Sequence, residues 1–272
     1  MLALGAAPVL AQNGSDAAKL KKLKSAYANF QQAAQQGNHE TAYTNLTQAI
    51  QLADETGQSG ALSKLQNFQQ RLPTKWGNEA LNAENYSQAL SHFEQGIEWS
   101  PQDAYVHYGK GLALVNMDST DAGLAAMREA IQVGEETGNT RVVEVATERI
   151  RDEFVSVASQ TLSTQNPSTS DANTALDALD QMREYVDPSA SSLFYRASAL
   201  FAKRQFDQAV STAREGLSMH QGSRSDAAKY HFIIGESQFS SGSTSSACQT
   251  FQNAAYGDYK ARAEHYLENE CQ

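Results

Sequence analysis

Residues 50–57 read IQLADETG and residues 131–138 read IQVGEETG, two copies of one turn 81 positions apart, each following a helix-like run that ends in Ala. At the same offset Ala42, Leu46 and Ala49 recur as Gly123, Met127 and Ala130, so the duplication reaches back into the preceding helix. Farther on, Ala89, Leu90 and Phe93 pair with Ala175, Leu176 and Leu179, and Tyr108, Gly111 and Ala113 with Phe194, Ala197 and Ala199, now at an offset of 86. The extra residues fit a loop at 164–170, which holds Asn166-Pro167 and almost no apolar side chain. Self-similarity of this kind replaces one globular core with a stack of units, each burying its apolar face on its neighbours.

Composition agrees. Hydrophobic residues make up 40% of the 272, aromatics only 8%, and there are five prolines, which suits a core distributed along a helical array. Ala, Gln, Glu and Leu dominate and β-branched runs are scarce, so helix is expected throughout and no sheet. A net charge of −10 and a pI near 5.1 argue against a nucleic-acid surface, which needs clustered Lys and Arg to meet phosphate charge. Lys19, Lys21, Lys22 and Lys24 form the only basic cluster, and they read as a solvated helix face.

Each unit reads as two helices joined by a short polar turn, the second opening with a small residue that lets it approach the first. Turns fall at 37–40, 83–86, 118–121, 203–206 and 241–244, followed by Ala42, Ala89, Gly123, Ala209 and Ala247, with Ala175 the sixth such residue after the longer loop. Successive spacings are 47, 34, 52, 34 and 38. The steps of 47 and 52 imply lengthened helices over 59–83 and 140–162, each starting after an ETG turn. Gly57 and Gly138 are the expected C-caps of the helices before them, and Ser59 and Thr140 the expected N-caps. Pro73 removes a backbone donor from the first long helix and is expected to kink it.

With its 34-residue helix–turn–helix step, the chain resembles the tetratricopeptide repeat family. The second copy matches best, in order Trp76-Gly77, Asn85-Tyr86, Ala89, Phe93, Gly96 and Pro101. Gly111, Leu114, Gly123, Met127 and Ala130 match in the third, and Gly235, Ala247, Phe251 and Ala254 in the sixth. The resemblance spans about residues 17–257. It implies an all-α, right-handed α-solenoid of about six antiparallel helix pairs plus a C-terminal capping helix at about 258–270, with a polar outer end. In that cap, Ala261, His265 or Tyr266 and Asn269 are expected to cover the stack, while Lys260, Arg262, Glu264, Glu268 and Glu270 meet water.

The same resemblance implies that the first helices of successive pairs line a concave face that receives a peptide or a partner helix. Helical spacing then selects Lys24, Tyr27 and Gln31 on the first such helix, and Arg71, Lys75, Asn78 and Asn82 on the second. Tyr105, Tyr108, Leu112 and Asn116 follow on the third, Phe194 and Ser198 on the fifth, and Lys229, Phe232 and Glu236 on the sixth. Amides bond a peptide backbone of any sequence, and aromatic rings supply contact area at low entropic cost. Tyr108, Phe194 and Phe232 hold equivalent positions and also suit packing within the chain. Some family members clamp the carboxylates of chaperone tails with Lys and Asn; Asn78 fits such a set, but Tyr27, Gln31, Tyr105 and Gly109 stand where its partners are required.

Residues 1–10 (MLALGAAPVL) are apolar and uncharged, and Val9-Leu10-Ala11 before Gln12 has the small-residue pattern of a signal-peptidase cut. This divides the chain into a residual signal-peptide segment, 1–11, and a single repeat domain, 12–272. The segment falls well short of the roughly 20 apolar residues a bilayer span needs, so no integral membrane segment is expected in the mature chain. An exported, periplasmic or extracellular location follows, or a cytoplasmic one if the segment is no signal remnant. The two cysteines, Cys248 and Cys271, permit one disulfide in an oxidising compartment, or stand as two free thiols.

His39, His92, His107, His220, His231 and His265 show no close ligand spacing, so neither metal nor other cofactor is expected. No G-x-S-x-G elbow, H-E-x-x-H pair or phosphate-cradling Gly loop occurs, and an enzyme is not expected. The expected function is a non-enzymatic scaffold or adaptor of the bacterial cell envelope with a protein or peptide partner. The alternative is an architectural subunit that self-associates through its long helices; a small-molecule-binding or catalytic helical domain stands third.

Overall fold

A computed structural model describes residues 14–164 and 166–271, and the apolar segment 1–11 lies outside them. Thirteen α-helices follow one another with no strand among the described residues. In chain order they are α1 (Gly14–Gln35) with α2 (His39–Glu55), α3 (Ser59–Asn82) with α4 (Tyr86–Trp99), and α5 (Ala104–Asn116) with α6 (Thr120–Thr137). Then come α7 (Thr140–Thr161) with α8 (Thr169–Met182), α9 (Ala190–Ala202) with α10 (Phe206–Met219), and α11 (Arg224–Ser240) with α12 (Thr244–Ala254). A 3-10 turn, Gly257–Tyr259, leads into the closing helix α13 (Lys260–Asn269). Six pairs and a cap make an all-α helical repeat. The chain divides into two compact units between Val142 and Val143. In the first, α3 packs on both α4 and α5; in the second, α9 packs on α10 and α11, and α11 on α12.

Five of the turns share one backbone. Gly37, Glu84, Asp118, Arg204 and Gly242 each take a left-handed conformation, with φ of 70°, 58°, 59°, 60° and 88°. The next residue's N–H donates to a carbonyl five positions back in each: Asn38 to Ala33, Asn85 to Ala80, Ser119 to Leu114, Gln205 to Leu200 and Ser243 to Gln238, at 2.8–2.9 Å. That bond satisfies a carbonyl the ending helix would leave orphaned. The residue after the left-handed one then accepts the first bond of the new helix, from Ala42, Ala89, Gly123, Ala209 and Ala247. All four alanines are fully buried and Gly123 is buried too. The fourth pair departs from this: after the longer loop a Ser168–Asp171 capping box opens α8, and Ala172 and Ala175 both become fully buried.

Near several of these small residues, large and small side chains interlock within and between pairs. The Phe93 ring fills the space left by Gly77 and Gly109: a Cβ on either would sit 2.6 Å or 2.2 Å from it. Phe251 does the same over Gly235. Gly111 and Gly123 bring backbones so close that a Cβ on either would lie 2.9 Å from the other's carbonyl oxygen.

The duplicated ETG turns are alike down to single hydrogen bonds. Thr56 and Thr137 hydroxyls donate to Leu52 and Val133 carbonyls at 2.6 and 2.7 Å, and Gln51 and Gln132 amides to Glu55 and Glu136 at 2.9 and 3.0 Å. Gly57 and Gly138 are left-handed at φ 65° and 73°. The cap assignments need correction by one residue. Gln58, not Ser59, is the N-cap of α3, and Asn139, rather than Thr140, accepts the Val142 N–H at 3.3 Å. The glycine has already turned the chain, so the next residue is the one left in a non-helical conformation. The long helix α3 also runs through Pro73 without interruption.

At the C-terminal end, the buried side of α13 is Ala263 with Tyr266 and Leu267, packed on Phe232 and Phe251. Tyr266 stacks on Phe251 with centroids 4.3 Å apart. Ala261, His265 and Asn269 are exposed, contrary to the expected cap face, because the apolar stripe that meets α11 and α12 is Ala263, Tyr266 and Leu267. Cys248 and Cys271 form a disulfide with Cα atoms 5.6 Å apart, tying the end of the chain to α12 across 23 residues. A closed loop of that size stabilises by about 3 kcal/mol in the chain-entropy account.

Two substitutions separate these contributions. Gly109→Ala forces the Phe93 ring to move and should cost about 1–3 kcal/mol. Glu84→Gly relieves a left-handed non-glycine residue and should gain about 0.5–1 kcal/mol. Urea unfolding midpoints measure both, and an unchanged midpoint in Gly109→Ala would contradict the interlocking of Phe93 with Gly109.

Candidate functional site

In the second unit the first helices of successive pairs wall a groove of about 1150 Å³. The end of α7 contributes Ser159 and Leu162, α9 and α11 supply most of the lining, and Tyr259 and Arg262 close it at the start of α13. Its rings are held by one another. Phe194 meets Tyr195 and Tyr230 edge-on at 5.1 and 5.7 Å, Phe201 packs on Phe206 at 5.7 Å, and Ser159 donates to the Tyr195 hydroxyl at 3.0 Å.

Charge enters at a few fixed points. The Lys229 ammonium lies 5.1 Å from the Phe194 centroid and 5.2 Å from that of Tyr230. Burial pulls its pKa below the ordinary lysine value, with Asp226 opposing. Arg262 spreads over Phe232 at 4.2 Å and pairs with Glu236 at 3.2 Å. Burial raises the Glu236 carboxyl, while Arg262 and the Tyr266 hydroxyl, donating at 3.5 Å, pull it back. Burial likewise raises Tyr259.

Five of the expected contact residues, Phe194, Ser198, Lys229, Phe232 and Glu236, meet in this groove. Phe232 requires correction: at 2% exposed it is floor, not a free contact residue. Helical spacing sets it on one stripe with Lys229 and Glu236, but Phe251, Tyr259 and Tyr266 close round its ring from α12 and the cap. Arg262 is exposed as expected, and also pairs with Glu236 at the groove. Tyr195, Phe201, Arg204, Phe206 and Tyr259 also line the groove and were not legible as a set, since only packing joins the turn after α9 to the start of the cap.

The remaining expected residues lie on the first unit's α1, α3 and α5. Lys24, Gln31, Arg71, Lys75, Asn78 and Asn82 are exposed, and Tyr27 and Tyr108 are partly buried. Gln31 donates to the Tyr27 hydroxyl at 3.1 Å, Lys75 approaches Glu79 at 3.8 Å, and the Asn116 amide donates to Leu112 of its own helix at 2.8 Å. Tyr105 is 43% exposed, high for so large a ring.

The first unit also joins two histidines that lie 53 residues apart. His39 Nδ1 and His92 Nε2 are 2.9 Å apart, and His92 Nδ1 is 3.0 Å from the Tyr43 hydroxyl. His39 stacks on Trp76 at 4.3 Å, and Trp99 abuts Tyr43 edge-on at 4.9 Å. Among the described residues no group of three or more His, Cys, Asp or Glu could hold a metal ion, and no helix is long and apolar enough to cross a membrane.

A family model described as tetratricopeptide repeat matches residues 74–136 and 194–264. The chain is a tetratricopeptide-repeat protein. Comparison with curated proteins gives no match. The first matched stretch opens one residue after Pro73, so the tetratricopeptide first helix occupies the later part of α3, and residues 59–73 are an added length in front of it. The second stretch takes in α9 to α12 and reaches Arg262, and so holds most of the groove. Tetratricopeptide repeats generally mediate protein–protein interaction and are typically non-catalytic.

The histidine pair sets a pH dependence. Burial, then the neighbouring His39, lowers the His92 pKa from 6.5 to about 4. Between those values the unfolded chain binds a proton that the folded chain refuses, so stability is lost as pH falls through that window. Trp76 and Trp99, the only two tryptophans, both border the cluster and report on it. The fluorescence-monitored urea midpoint should drop between pH 7 and 4.5, and His92→Gln should flatten the drop; equal slopes would remove His92 as its source.

Proposed function

We propose that the protein is an exported, non-enzymatic adaptor of the cell envelope whose groove in the second unit receives an extended segment of another protein. The observation that carries this is a groove of about 1150 Å³ walled by successive first helices and lined by rings interspersed with Ser198 and Ser240. Rings offer area, and hydroxyls offer bonds to a backbone of any sequence. A preformed wall leaves most of the ordering cost with the partner. Export is supported by the signal-like segment 1–11 and by the Cys248–Cys271 disulfide, since such bonds persist in oxidising compartments.

Ser198→Trp fills the groove from α9 without touching the first unit. Affinity capture from envelope extract should lose its specific partners in Ser198→Trp and keep them in Lys75→Glu/Asn78→Ala, with the protein monomeric by light scattering. Retention of all partners by Ser198→Trp would refute the groove reading. A stable oligomer that persists in both variants would instead favour the architectural role for α3 and α7. A mature N-terminus at Gln12 would support export, and an uncleaved cytosolic chain would exclude it.

A further inference from the structure

The groove's charge runs against that of the chain. Acidic residues outnumber basic ones 31 to 21 overall, yet the groove presents Lys229, Arg204 and Arg262 against one carboxylate, Glu236. That carboxylate is already engaged by Arg262 and the Tyr266 hydroxyl. Lys229 and Arg204 are in a different position. Lys229 has rings around it but no ion pair among the described residues, and the nearby Asp226 is taken up by the backbone N–H and hydroxyl of Ser223, at 3.0 and 2.7 Å. Arg204, held at the rim in the left-handed turn after α9, likewise makes no ion pair or side-chain hydrogen bond among the described residues. Asp226 keeps its charge while it accepts the Ser223 bonds and offsets only part of the desolvation of the partly buried Lys229 ammonium, which an arriving carboxylate would offset further.

Spacing narrows the ligand. Lys229 sits against Phe194, and Phe194 and Arg204 are ten residues apart. Eight of those residues climb α9 at about 1.5 Å each and the last two lie in the turn beyond it, so the Cα atoms of Phe194 and Arg204 stand roughly 12–15 Å apart. An extended chain advances about 3.3 Å per residue and covers the distance in about five. The same groove is lined by the Phe201 and Ile233 side chains and the Glu236 carboxylate, which accept apolar groups and hydrogen-bond donors but repel further acid.

We propose that the groove selects an internal acidic segment of a protein partner, with two carboxylate side chains about five residues apart, one on Lys229 and one on Arg204, and an uncharged, partly apolar stretch between them. This rests on the groove being the binding site, and the test separates the two claims.

Random dodecapeptides displayed on phage through their C-termini, so that no free terminal carboxylate is offered, are panned against the full-length protein. Enriched sequences should carry Asp or Glu pairs four to six positions apart. A synthetic peptide of the enriched sequence should bind at least tenfold more weakly to Lys229→Gln and to Arg204→Gln, and more weakly as salt rises. Changing either peptide acid to its amide should cost as much. A Lys in the peptide should restore binding to Lys229→Glu, which a merely structural role for Lys229 would not produce. Binders that lack acid but are lost in Ser198→Trp would overturn this inference and leave the groove reading intact. Binders indifferent to Ser198→Trp, or no binders at all, would overturn both.

Discussion

Five residues after each left-handed turn residue, the chain must bury a side chain no larger than a methyl group, and the rest of the structure depends on that constraint. At Ala42, Ala89, Gly123, Ala209 and Ala247 the second helix of a pair lies against the first with no side chain to hold them apart. The left-handed turn sets where the second helix begins, and the small residue lets it close. Only then can a large side chain 16 positions after a glycine of the first helix, Phe93 over Gly77 or Phe251 over Gly235, fill the space between them. A larger residue at the close contact would separate the helices and leave that ring without a floor.

The groove is a consequence of repeating this contact. Because α9 and α11 each bury one face on a second helix, their other faces are left side by side, and α7 and α13 flank them. The cap does more than cover apolar surface. Tyr266 and Tyr259 enclose Phe232 and so turn an apparent contact residue into floor, while Arg262 carries a cation over that floor and takes up the one groove carboxylate. The disulfide anchors the far end of α13 and so limits how far this arrangement can open. Lys229 and Arg204 are left as the groove cations without a direct ion pair among the described residues, in a protein that is otherwise acidic.

Much of the fold was legible because its signals are local. A left-handed turn needs only a few residues, a 34-residue step repeats in plain view, and the long helices showed as spacings of 47 and 52 that match α3 and α7 to within a residue at each end. The errors were of reach. Ser59 and Thr140 were read as caps because hydroxyls cap helices, but the glycine before them had already moved the cap position by one residue. The buried face of α13 differs from the expected one because Ala263, Tyr266 and Leu267 are the side chains that meet Phe232 and Phe251 of the preceding helix pair. Phe232 sits at a helical interval that suits exposure, and no interval records that another helix covers it.

The sequence alone determined that this protein is an all-α tetratricopeptide repeat, the bounds of its two long helices to within a residue, and which small residues sit at the close contacts. These depend on backbone conformation and on side-chain size within one helix pair. Tertiary structure decided which side chains share a site. His39 meets His92 across 53 residues, and Arg204, Lys229 and Arg262 border one groove from a turn, a helix and a cap. A groove is made by elements distant in sequence, and its electrostatics depend on which charges are paired there and which are left over, a property of packing that no local pattern encodes.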